Sequence, residues 1–124
     1  MTKLTGLLIK VDRSAEIVEF EPEYWRSIGN VINGWIEIVR PKAARKLGIF
    51  TDNMCFVCDE EGLLKRKSFN LIASILYGDF IAGDIVVLKE EFTHDGLDFI
   101  SLSEKEINTL VKLLSLRLFK VVGQ

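Results

Sequence analysis

The stretch NMCFVCDEEG, residues 53–62, decides how the chain folds. Cys55 and Cys58 stand at the C-x-x-C spacing of zinc and redox sites, yet the same residues also read as a strand followed by a tight turn. In a strand, side chains alternate between faces, so Cys55 points with Val57 while Cys58 points with Met54 and Phe56 to the other side. Three residues of strand also hold the two α-carbons roughly 10 Å apart. A disulfide needs its β-carbons about 4 Å apart, so the pair cannot close within strand geometry. A zinc knuckle requires a tight turn between the cysteines, which Phe56-Val57 disfavours, and only His94 and carboxylates could complete a four-ligand set. A redox pair normally opens a helix, where the thiolate is stabilised, whereas this one runs into the turn DEEG. The segment is therefore read as a strand with buried structural cysteines, and no metal or cofactor is expected.

Outward from this strand, the neighbouring segments are short and alternating or apolar. WIEIVRP (35–41) alternates and stops at Pro41, as a strand should, and KAARKLG (42–48) reads as a helical turn ending at Gly48. DIVVLK (84–89) is a further strand. Leu4–Val11 and Ile17–Phe20 flank the turn formers Asp12 to Ser14 and read as a β-hairpin. PEYWRSIGNVING (22–34) reads as a helix. Pro22 suits its first position, Glu23 its positive end and Gly34 its left-handed C-terminal position, while Trp25, Ile28 and Ile32, with Tyr24 and Val31, form one apolar stripe. SFNLIASILYG (68–78) is apolar nearly all round at Leu71, Ile72, Ile75 and Leu76. It reads as a short buried helix capped by Ser68 and ended by Gly78.

FTHDGLDF (92–99) looks like a hairpin turned at Asp95-Gly96. The last element has the clearest signal, because Ser103 and Glu106 form an S-x-x-E capping box. Ile107, Leu110, Val111, Leu114 and Leu118 follow at helical spacing, and an acidic start (Glu104, Glu106) and basic end (Arg117, Lys120) match the macrodipole. The order predicts one α+β domain over residues 1–124. It has a mainly antiparallel sheet, a Pro22-initiated helix, a short buried helix and a C-terminal amphipathic helix.

A chain of 124 residues holds one core and is too short for two ordinary domains. Hydrophobic residues at 48% and charged residues at 27% place it among soluble globular chains. The mean hydropathy of +0.23 is apolar for a soluble monomer and leads us to expect a homodimer. A net charge of −2 gives no global field for nucleic acid or acidic membranes, and is too small for a DNA mimic. The opening MTKLTGLLIKV is interrupted by Thr5, Gly6 and Lys10, too short an apolar run for a signal-peptide core or a membrane span. Two cysteines build no disulfide framework, so the cytoplasm is the expected compartment.

Hydrolysis would have to use His94, the single histidine, with Asp95 or Asp98; an exposed turn histidine is the simpler reading. The carboxylates at 59–61 and 90–91 fall at turns and strand ends and are read as solvated. Neither glycine-rich phosphate loop is present. Two basic clusters, Arg40, Lys42, Arg45 and Lys46, then Lys65, Arg66 and Lys67, would grip phosphates if they met in space. No aromatics interleave with them as single-strand binding requires, so solvated loops and no nucleic acid are preferred.

Trp25 and Trp35 flank the first helix, and Trp35 faces opposite Ile36 and Ile38. A core role is the simpler reading of each, although exposed tryptophans mark interfaces. Asn70 and Ser74 share one helix face, and with Tyr77 they either satisfy buried backbone or line a pocket mouth. The first is favoured, because buried polar groups need partners. Trp25, Trp35, Asn70, Ser74 and Tyr77 are thus the candidate partner-binding residues, and no catalytic residue is assigned.

Taken together, EIVEFE (16–21), INGWIEIVRP (32–41), VCDEEGLLK (57–65), FNLIASILYG (69–78), IAGDIVVL (81–88) and DGLDFISLSEKEI (95–107) resemble the domain of unknown function 3846 family over nearly the whole chain. The specific pieces are the acidic-glycine turn, N-x-x-A-S-x-L-Y-G from Asn70 to Gly78, and the strand at Gly83. KRKS (65–68) departs from the Lys-Gly-Leu-Pro-like stretch of that family. The resemblance implies no activity and no site residues. It does imply a gut-bacterial, phage or mobile-element setting, in which small single domains often act by binding. The expected function is a non-enzymatic binding module for a protein or small-molecule partner. The alternatives are a nucleic-acid-associated accessory protein using basic loops 40–46 and 65–67, or a small hydrolase centred on His94.

Overall fold

A sheet with two apolar faces needs cover on both, and this chain supplies it with helices. The computed structural model describes residues 3–115 and 117–118. In chain order the elements are strands β1 (Leu4–Ile9) and β2 (Ser14–Phe20), helix α1 (Tyr24–Ile32), strand β3 (Ile36–Val39), helix α2 (Lys42–Lys46), strand β4 (Met54–Asp59) and helix α3 (Leu71–Tyr77). Strands β5 (Ile85–Thr93) and β6 (Gly96–Ile100), helix α4 (Glu104–Leu114) and a two-residue strand β7 (Arg117–Leu118) follow.

The strands lie in the order β3-β4-β5-β1-β2-β7, with β6 also on β5. All pairings are antiparallel except the short parallel β2–β7 contact. The long strand β5 gives one side to β4. Its other side is shared, Ile85 to Val87 pairing with β1 and Lys89 to Thr93 with β6. The protein is therefore α+β with a mainly antiparallel sheet.

The alternation read in Met54–Cys58 sorts the core. Phe56 and Cys58 join Leu7, Ile9, Ile85 and Val87 beneath α2, α3 and α4, which contribute Ala44, Ala73, Leu76, Ile107 and Leu110. Cys55 and Val57 join Leu8, Val18, Phe20, Val86 and Leu88 beneath α1, which contributes Ile28 and Ile32. The two cysteines are free, buried and on opposite faces, and burial pushes each thiol up to about 12. Neither is expected to react with a thiol reagent at pH 8 in the native protein, while both react in denaturant. Rapid native labelling of either would contradict this placement.

Several boundaries differ from the sequence reading. Helix α1 opens at Tyr24, two residues past Pro22, because Glu23 takes a left-handed conformation (φ 72°) that turns the chain out of β2. Asn33 (φ 57°), not Gly34, makes the left-handed stop. Helix α3 is capped by Asn70 rather than Ser68, and it is only half buried. It lies on the sheet by one side, so Ala73 and Leu76 are inside while Leu71 and Ile75 are exposed. The β5–β6 loop is His94-Asp95, with Gly96 (φ 111°) already paired to Thr93.

The capping box forms as read, with Glu106 N–H donating to Ser103 Oγ (3.1 Å) and Ser103 N–H to Glu106 Oε1 (2.8 Å). The helix it starts ends at Leu114, where Ser115 turns left-handed (φ 53°). Arg117 and Leu118 therefore belong to β7, Lys112 is the basic residue of the last turn, and Lys120 lies outside the described residues.

Candidate functional site

The junction of α1 and β3 gathers the most unusual side chains. Asn33 stops the helix, Gly34 follows, and Trp35 emerges beside it just before β3. Gly34 is required by a close approach, not by its own backbone angle, since a β-carbon there would overlap the Asp59 carboxylate. Asp59, at the end of β4, is buried and accepts from Lys65 Nζ (3.0 Å), Lys67 Nζ (2.7 Å) and Glu61 N–H (3.0 Å). Burial opposes ionisation of this carboxyl. The hydrogen bonds from Lys67, Glu61 N–H and Lys65 outweigh it and hold the group below the usual carboxylate range. Lys67 also donates to the Ile32 and Asn33 carbonyls at 2.8 and 2.9 Å, tying the end of α1 to the β4 turn.

This anchoring leaves an open groove of about 730 Å³ lined by Trp25, Arg26, Asn30, Asn33 and Trp35, with Gly29, Gly34 and Ile36 completing it. Trp25 is 54% exposed and Trp35 75%, so neither is a core residue. Trp25 is nonetheless held in place, its ring 5.3 Å from that of Phe99 on β6. Arg26 and Asn30 are exposed, and their side chains have no hydrogen bond or ion pair among the described residues. Aromatic faces, free amides and a free cation are the usual means of orienting a ligand in a cleft.

A smaller cleft of about 240 Å³ is lined by Glu37 and Val39 of β3 together with Cys58, Asp59, Glu60, Leu63, Tyr77, Asp79 and Phe80. Glu37, Glu60 and Asp79 are exposed carboxylates, whereas the neighbouring Lys65 and Lys67 are bonded to Asp59. Phe80, also exposed, stacks on Phe69 with centroids 5.0 Å apart.

The sequence-predicted residues thus separate. Trp25 and Trp35 share the groove, and Tyr77 lines the acidic cleft. Asn70 and Ser74 satisfy buried backbone instead. Asn70 accepts from Ala73 N–H (3.1 Å) and donates to the carbonyls of Ile9 (2.9 Å) and Gly83 (3.0 Å). Ser74 Oγ accepts from Ile81 N–H at 2.9 Å.

The carboxylates at 59–61 and 90–91 are not all solvated. Asp59 and Glu90 are buried and paired, Asp59 because the turn after β4 folds Lys65 and Lys67 back onto it and Glu90 because Arg40 reaches it from just past β3. Arg40 forms a bidentate pair with Glu90 (3.0 and 2.6 Å), and Arg45 donates to the Met54 carbonyl (2.8 Å). Lys42, Lys46 and Arg66 remain exposed without an ion pair among the described residues. His94, Asp95 and Asp98 are exposed on the β5–β6 hairpin, and the His94 side chain makes no hydrogen bond among the described residues. Among those residues there is also no cluster of three or more His, Cys, Asp or Glu side chains able to hold a metal, and no helix long and apolar enough to cross a membrane.

The sequence profile of the domain of unknown function DUF3846 matches residues 2–115. This chain belongs to the DUF3846 family. No curated protein matches it in sequence. A crystal structure of the small RNA methyltransferase HEN1 is similar in fold, with a TM-score of 0.55 at 15% identity. The similarity covers 88% of the DUF3846 chain and 16% of that protein, and it describes the fold alone. In this DUF3846 domain, sequence reasoning missed the Gly34–Asp59–Lys67 anchor, the groove residues Arg26, Asn30 and Asn33, and the cleft carboxylates Glu37 and Asp79. The Asn-Gly-Trp run at the end of α1 was the available signal, since a chain reversal beside an aromatic residue often exposes it.

Proposed function

We propose that the domain is a non-enzymatic binding module that receives a protein or small-molecule partner in the groove between Trp25 and Trp35. The observation that carries this reading is the pair of exposed indoles flanking one groove, with unpaired Asn30 and Arg26 at its rim. Large apolar side chains left in water are unfavourable, and tryptophans are enriched among residues that dominate binding energy. The setting we propose is the cytoplasm, in a phage or mobile-element context, with homodimerisation through the remaining apolar surface. The nucleic-acid reading has less support, because Arg40, Arg45, Lys65 and Lys67 already have partners.

A displayed peptide library and a panel of nucleotides and metabolites provide the test. Ligands are expected to quench tryptophan fluorescence and to lose at least about tenfold in affinity on Trp35→Ala, or roughly 1.4 kcal/mol. An unchanged melting temperature would show that this variant still folds. Ligands that ignore both Trp25→Ala and Trp35→Ala would overturn the assignment, as would an absence of any hit. Single-stranded DNA or RNA bound at low salt, and unaffected by those substitutions, would favour the basic loops instead.

A further inference from the structure

We infer that the partner is an extended peptide that adds as a strand to the free edge of β3, sending apolar side chains to the tryptophan groove and basic ones to the acidic cleft. This rests on the binding-module reading and makes it specific. Among the described residues, strand β3 ends the sheet and pairs only with β4. The bond from Glu60 N–H to the Trp35 carbonyl (2.8 Å) sets the phase of that ladder. Trp35, Glu37 and Val39 therefore turn their backbone groups toward β4, and Ile36 and Ile38 turn theirs outward. Nothing among the described residues bonds to those outward groups.

The two cavities beside β3 lie on opposite faces of it. Ile36, packed toward α1, borders the tryptophan groove, while Glu37 and its cross-strand neighbour Cys58 border the acidic cleft on the face covered by α3. A strand laid along β3 would alternate its side chains between those faces, residue by residue. Its main chain would bond to Ile36 and Ile38, and its side chains would be selected separately on each face. On one face the selection is for aromatic or branched groups. On the other, Glu37, Glu60 and Asp79 call for lysine or arginine, whose aliphatic stems would lie against Leu63 and Phe80.

Charge also argues against a second copy as the occupant. Antiparallel β3–β3 pairing through Ile36 and Ile38 of both chains sets Glu37 opposite Glu37, which is unfavourable.

The probe is an acetylated, amidated octapeptide alternating leucine and lysine, added to the full-length protein labelled with nitrogen-15. Amide exchange at Ile36 and Ile38 is expected to slow at least tenfold. N-methylation of the peptide at alternate residues should lose at least tenfold in affinity in one register and little in the other, because only one set of its amides faces β3. Glu37→Lys should weaken binding of the leucine–lysine peptide at least tenfold and narrow its advantage over a leucine–glutamate peptide, since only Glu60 and Asp79 then remain as exposed carboxylates of the cleft. If the peptide binds in a Trp35-dependent way but the exchange rates and both methylated forms are unaffected, strand addition is wrong while the binding module stands. If no alternating peptide binds, the inference fails, and small-molecule hits in the groove decide the broader reading separately. Protection of Ile36 and Ile38 that follows protein concentration instead of peptide would assign the edge to a second copy and overturn the inference.

Discussion

Asn70→Ala is expected to destabilise the domain by about 3–5 kcal/mol, a large share of the roughly 5–15 kcal/mol that holds a domain folded. The Asn70 side chain is fully buried and makes three hydrogen bonds, each to backbone of a different segment. Its oxygen caps α3 through Ala73 N–H, a bond worth about 1 kcal/mol. Its amide nitrogen serves the carbonyls of Ile9, at the end of β1, and Gly83, in the turn before β5. Truncation leaves the Gly83 carbonyl buried without this donor, at about 1–3 kcal/mol, while the Ile9 carbonyl, already within the β1–β5 ladder, loses a second bond at about 0.5–1.5 kcal/mol. Asn70→Asp should do no better, since it retains the cap but presents an acceptor to two other acceptors. Urea unfolding should show lower midpoints at an unchanged slope. A loss below about 1 kcal/mol for the alanine variant would mean that water replaces the amide.

Asp59→Asn should cost about 2–4 kcal/mol at pH 7. Breaking a buried pair is strongly unfavourable, but Lys65 and Lys67 are themselves partly exposed and recover some hydration. The effect depends on pH with a definite sign. In the folded protein this carboxyl is held below its unfolded pKa of about 3.9, so its stabilisation is complete above that pH. The stabilisation is lost as acid protonates the group through its lower folded value. The gap between wild type and Asp59→Asn should therefore be full at pH 7 and shrink below about pH 4. A gap that stayed constant down to pH 3 would show that the lysines stabilise the turn without the charge on Asp59. Gly34→Ala is expected to resemble Asp59→Asn, because its methyl group displaces the same carboxylate.

Local chemistry was legible in the sequence wherever the deciding neighbours were close by. The alternation of Met54–Cys58, the turn formers at 12–14 and the Ser103–Glu106 box depend on residues within a turn of one another, and each formed. Gly34 shows the opposite case. An Asn-Gly pair offers two candidates for the left-handed stop, and the choice falls on Asn33 because Asp59 needs the space over Gly34. Nothing near residue 34 announces that. The burial of Glu90 was equally hidden, since Arg40 lies fifty residues away, while Lys65 and Lys67 stand near Asp59 in sequence but meet it only through the path of the turn. Ile75 and Leu71 looked buried because they are apolar, but a two-turn helix lying on a sheet has only one side to hide. For the groove, strand alternation set Trp35 apart from Ile36 and Ile38, yet both tryptophans read more simply as core residues; their exposure and their meeting depended on how α1 packs.

The double pairing along one side of β5 has a consequence for how the chain assembles itself. During synthesis the β1–β2 and β3–β4 pairs can form early, yet no strand joins them. Each waits with an open edge, the state in which strands mispair most readily. The nine residues of β5 join both, taking β4 on one side and β1 on the other before the chain turns back as β6. Assembly of this kind relies on contacts far apart in the chain, such as Leu7 with Val87, and proceeds slowly compared with helical bundles. The molecule is thus two unfinished halves until its last third arrives, and the strand that completes the sheet also sets the order of events.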